Sequence, residues 1–152
     1  MSQALLDSAP RTHRRDRVAP ILDTLHAAGR FQTLIATLAA TGMSDQLRRP
    51  GAFTLFAPND YAFERLPIET VRLLLNHPDR LRAVLRMHLT DGEFRARDFI
   101  FFTRVPSWAG TDLHLSLTDQ GEALVSGVPV LTADILASNG VIHEMDGVIM
   151  GE

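Results

Sequence analysis

Midway along this chain the spacing of apolar residues changes from that of a helix to that of a strand, and this change narrows its fold class most. Ile21, Leu22 and Leu25 precede Phe31, Leu34, Ile35 and Leu38, and the last four, at i, i+3, i+4 and i+7, place an apolar stripe on a helix that Thr41-Gly42 ends. Thr70 to Asn76 and Asp79 to Leu89 form two further helical patches split by Pro78, the second with Leu81, Val84, Leu85 and His88 on one face. Between these helices Phe53 to Ala57 is a β-prone run stopped by Pro58. In the second half Leu113, Leu115 and Leu117 alternate with polar residues, Asp119-Gln120-Gly121 reads as a hairpin turn into Ala123-Leu124-Val125, and Val128 to Leu131 and Val141 to Ile149 supply more strands. Helices mostly first and strands mostly later predict an α+β domain rather than a doubly wound parallel sheet.

The length suits a single domain over residues 18–152, and the balance of 45% hydrophobic to 22% charged residues excludes a disordered or membrane-embedded chain. All fifteen basic residues are arginine, yet eighteen acidic residues leave a net charge of -3, without the basic excess that phosphate binding demands. Nucleic acid is therefore not an expected partner. The absence of cysteine removes disulfides, thiolate nucleophiles and cysteine-based zinc sites. Residues 1–17 carry Arg11, Arg14, Arg15 and Arg17 with no long apolar stretch beside them, so they read as a flexible arm, neither a secretory signal nor a transmembrane segment.

Two segments carry a family likeness. Phe53-Thr54-Leu55-Phe56-Ala57-Pro58-Asn59-Asp60-Tyr61-Ala62-Phe63 resembles the first signature region of fasciclin domains, and Ala133-Asp134-Ile135-Leu136-Ala137-Ser138-Asn139-Gly140-Val141-Ile142-His143-Glu144-Met145-Asp146-Gly147-Val148-Ile149 resembles the second. The resemblance implies a wedge of about seven β-strands flanked by several helices. It implies a non-catalytic adhesion module of bacterial type, extracellular or periplasmic, with no cofactor and no metal, binding a protein or glycan on a cell surface or matrix. Because this chain shows no signal segment, cytoplasmic residence stays open, and the oligomeric state is not legible. Where the family carries a tyrosine-histidine pair tied to integrin recognition in animal members, this chain has Met87-His88.

Asn59 and Asp60 are expected to cap the helix that follows them, since no calcium-loop spacing of carboxylates accompanies them. Asn139 sits in an Asn-Gly turn. His88 and His143 each share a face with apolar neighbours and are expected to be buried, tying helix to strand. Phe56, Phe63, Leu85, Val141 and Ile149 are expected to share one core. The competing functional reading makes His88, His143 and Asp146 the general-base or metal set of a small hydrolase. A third makes the domain an intracellular ligand-binding or oligomeric protein. Two stretches are set apart as candidate partner surfaces: Asp134, Ile135 and Leu136, at the place linked to integrin contact in animal relatives, where the plainer reading has Ile135 and Leu136 pack while Asp134 bonds a nearby backbone amide or caps a turn, and the aromatic run from Phe99 through Phe101 and Phe102 to Trp108, where the plainer reading is core packing under a long loop.

Overall fold

The computed structural model describes residues 19–150, and the Arg-rich arm expected over residues 1–17 lies outside the described residues. The single helix expected after Ile21 is two, α1 (Ile21–Ala28) and α2 (Gln32–Ala40). Gly29, at φ 78°, ends α1 in the left-handed conformation that terminates helices. A 3-10 turn over Gln46–Arg48 then leads into β1 (Phe53–Pro58), α3 (Asp60–Glu64), α4 (Ile68–Asn76) and α5 (Pro78–Arg86). Pro78 starts α5 at a position where its missing N–H costs nothing. The helix stops at Arg86, earlier than expected, because Leu89 belongs to β2 (Leu89–Asp91).

A short 3-10 helix, Ala96–Ile100, precedes β3 (Arg104–Pro106), β4 (Asp112–Leu117), β5 (Ala123–Val125), β6 (Val128–Ala137) and β7 (Gly140–Met145). The seven strands form one sheet in the order β2-β1-β7-β6-β5-β4-β3. Only β1 and β7 pair in parallel, with Phe53 opposite Gly140 and Pro58 opposite Met145. Close approach explains Gly140, since a Cβ there would collide with the Phe53 carbonyl oxygen.

The central pair is buried on both faces, as parallel strands generally are, and this splits the core in two. Leu55, Ala57 and Ile142 pack with Phe31, Leu34 and Leu85 on the helical side, with Phe63 against them. Phe56 and Met145 pack with Phe99, Leu113, Leu115, Val125 and Ile149 on the other. The expectation of one shared core is thereby corrected: Phe63 and Leu85 stand on one side, Phe56 and Ile149 on the other. Strand parity is the reason, because successive side chains of β1 point to opposite faces of the sheet.

Asn139 joins three segments from the tight β6–β7 turn. Its Oδ1 accepts the Ile21 N–H at 3.0 Å at the start of α1, and its Nδ2 donates to the carbonyls of Leu47 and Arg49 at 2.7 and 3.1 Å. Asn59 caps α3 by accepting the Ala62 N–H at 2.8 Å. Asp60 does something else: it accepts the Thr33 N–H at 2.8 Å and so caps α2, a helix distant in sequence rather than the one it begins.

Candidate interaction surface

His143 sits beneath the surface that unites both candidate stretches. Its ring is 0% exposed, lies parallel to Phe56 at 5.6 Å and meets Phe99 edge-on at 5.7 Å. Nδ1 accepts the Asp134 N–H at 3.2 Å, so the ring proton is on Nε2, which donates to the Phe94 carbonyl at 2.7 Å. Burial lowers its pKa, opposed by the Phe94 carbonyl and by the Asp134 charge, so the ring is neutral near pH 7.

The Asp134 N–H is available to the ring because β6 is irregular there. Between the pairs Thr132–Glu144 and Ile135–Ile142 the strand carries one extra residue, and Asp134 adopts φ 61°. Aspartate tolerates that left-handed conformation better than a β-branched residue would. The bulge turns the carboxylate outward: it is 41% exposed, and Oδ1 accepts the Ala96 N–H at 3.0 Å where the 3-10 helix begins. Ile135 and Leu136 return to the ladder half-buried, Ile135 against the helical-side core.

The same 3-10 helix divides the aromatic stretch. Phe99 and Val105 are in the core, whereas Ile100, Phe101 and Phe102 are 64%, 78% and 49% exposed. Core packing therefore accounts for only part of that run. Phe102 meets Phe94 edge-on at 5.3 Å, which braces the exposed turn against the segment that His143 holds. Trp108 points elsewhere, into a cleft with Phe53. Asp134 and the exposed Ile100, Phe101 and Phe102 are thus linked through the 3-10 helix that begins at Ala96.

His88 and Asp146 lie outside that arrangement. His88 Nε2 accepts the Ile149 N–H at 2.9 Å, so Nδ1 donates to the Val84 carbonyl at 2.8 Å. Asp146 pairs with Arg65 at 3.1 Å, and Arg65 also donates to the Asp146 carbonyl. Of the set His88, His143 and Asp146, each is engaged with a different partner and none with another member. The structure thus corrects that constellation, and among the described residues no three His, Cys, Asp or Glu side chains gather as a metal site. Met87 and His88, at the position of the family's tyrosine-histidine pair, are both buried.

Sequence reasoning missed Glu144, an acid near the end of buried β7. Its carboxylate accepts from Arg30 Nε at 3.0 Å and Asn59 Nδ2 at 2.9 Å. Burial favours the neutral acid, but hydrogen bonds from Asn59, Arg30 and Thr132 outweigh it and hold the pKa below the ordinary value. No spacing rule announces partnerships across 114 and 85 residues of sequence.

The fasciclin domain family model matches residues 29–151, most of the chain. This chain belongs to the fasciclin domain family. The fasciclin domain is 36% identical over 121 residues to the uncharacterised protein sll1735 of Synechocystis, covering 80% of this chain and 90% of that one. It is 34% identical to the transforming growth factor-beta-induced protein ig-h3 of Sus scrofa, covering 79% of this chain but 18% of that longer protein. Among solved structures, the domain pair from the insect cell adhesion molecule fasciclin I superposes with a TM-score of 0.68 at 18% identity, over 88% of this chain and 51% of that one. That likeness establishes the α+β fold of a sheet flanked by helices. No described helix is long and apolar enough to cross a membrane.

Proposed function

We propose that this fasciclin domain is a non-catalytic adhesion or interaction module, acting outside the cytoplasm, whose partner surface is formed by Ile100, Phe101, Phe102 and Asp134. The observation that carries this reading is the exposure of Ile100, Phe101 and Phe102 at the end of a short 3-10 helix whose first N–H, that of Ala96, is held by the half-exposed Asp134 carboxylate. Exposed aromatic rings supply contact area at low entropic cost, and an adjacent acid supplies directional specificity. The surface is supported from below by the neutral His143 ring, so little ordering remains to be done when a partner docks. Membership of the family and likeness to a cell adhesion molecule support the same reading.

The test is attachment of the purified domain to cells and to protein- or glycan-coated matrix. Phe101→Ser and Asp134→Asn, at urea midpoints matched to the parent, are expected to weaken attachment at least tenfold each. Unchanged attachment in both variants would remove this surface from the function. Fractionation of the producing cell tests the compartment, and recovery of the domain in the cytoplasm alone would overturn an external role.

A further inference from the structure

A second site lies in an open cleft of about 520 Å³, in the range that small-molecule sites occupy. Gln46 lines it from the 3-10 turn and Arg49 from just after it, Phe53 from β1, Arg86 from the end of α5, Asp91 from β2, and Trp108 from the loop after β3. Neither Phe101 nor Phe102 lines it. The indole is fixed on three sides: Nε1–H donates to Asp91 Oδ1 at 2.9 Å, the backbone N–H donates to the Leu89 carbonyl at 2.8 Å, and the Phe53 ring meets it edge-on at 5.4 Å. Arg86 is fixed too, donating to the Trp108 carbonyl through Nε at 3.3 Å and Nη2 at 2.9 Å.

What these contacts leave over describes a ligand. Among the described residues the Arg49 guanidinium, Nη1 of Arg86 and the Gln46 amide have no hydrogen-bond partner, and Asp91 Oδ2 remains open as an acceptor. Two guanidinium groups at one cleft call for an anion with planar, paired oxygens. A carboxylate meets that demand, while the charge of Asp91 in the same wall opposes a dianionic phosphate and invites hydroxyl donors. The Trp108 and Phe53 rings offer an apolar face suited to the C–H face of a pyranose. We infer that this cleft binds a carboxylate-bearing sugar, a uronic acid residue, with Arg49 and Arg86 on the carboxylate, Asp91 and Gln46 on hydroxyls, and Trp108 against the ring.

The chain contains one tryptophan, so its fluorescence reports this cleft alone. Titration of the protein with methyl glucuronide is expected to give a saturable change in Trp108 emission. Methyl glucoside, which carries a hydroxymethyl group in place of the carboxylate, should bind at least tenfold more weakly, and acetate at equal concentration should give no saturation. Arg49→Gln removes an exposed side chain without a partner, so it should leave the urea midpoint unchanged and weaken glucuronide binding at least tenfold; Phe101→Ser should leave it unaltered. Absence of saturation with glucuronide, equal binding of glucoside or acetate, or full binding by Arg49→Gln would each overturn the assignment. Because Phe101→Ser and Arg49→Gln address different surfaces, failure here is distinguishable from failure of the attachment assay.

Discussion

Acidification from pH 7.5 to pH 5 asks His88 to take up a proton where the fold has no place for one. The ring is 1% exposed, and both nitrogens are engaged, Nδ1 as donor to Val84 and Nε2 as acceptor from Ile149. A proton on Nε2 would face the Ile149 N–H. Burial accordingly lowers the pKa from 6.5 to about 4, against the opposing pull of the Val84 carbonyl. Between those values the unfolded chain binds the extra proton and the folded one does not, so stability is complete above pH 6.5 and falls as the pH falls. Integration over that difference gives a loss of about 2 kcal/mol at pH 5 and about 3 kcal/mol at pH 4. His143, also lowered by burial, acts in the same direction. Glu144 too loses stabilisation on acidification, as the pH falls through the ordinary carboxylate range toward its lower folded value, so little of that loss falls in the window from pH 7.5 to 5. Urea unfolding followed by circular dichroism at half-unit pH steps measures this directly. His88→Phe should be less stable at pH 7.5, because Ile149 and Val84 lose their partner, and should show a pH dependence smaller by the His88 share. A parent protein equally stable at pH 7.5 and 5, or a variant with the parent's pH slope, would refute the reasoning.

Gly140→Ala should cost more than about 4 kcal/mol or abolish folding, since its Cβ would collide with the Phe53 backbone and part β1 from β7; expression yield and thermal melting read this out. Asn139→Ala should cost about 2–3 kcal/mol in urea unfolding, because it leaves the Ile21 N–H and the Leu47 and Arg49 carbonyls short of a partner. Phe99→Ala, within the core, should cost about 3–5 kcal/mol, whereas Phe101→Ala, two residues on and exposed, should stay within about 0.5 kcal/mol of the parent; comparable losses for the two would contradict the division of the aromatic stretch.

Local pattern and motif were sufficient for much of this protein. The 3.6-residue spacing through Leu38 and again through Leu85 marked helices, the alternation from Leu113 marked β4, and the two signature regions identified the family. Such features depend on neighbours a few residues apart, so a single sequence carries them. Contacts between distant segments are a different matter. Asp60 could be recognised as a capping residue, but that it caps α2 depends on how α2 and α3 pack. His143 could be placed on an inward-facing strand position, yet its tautomer is set by the Asp134 bulge and the Phe94 carbonyl. The aromatic run from Phe99 to Trp108 has neither helical nor strand period, and only the path of the chain sends Phe99 to the core, Phe101 to the surface and Trp108 to the cleft. Even the division of the core required the sheet, because parity within β1 and β7 becomes two separate interiors only when helices cover one face and the later strands close over the other.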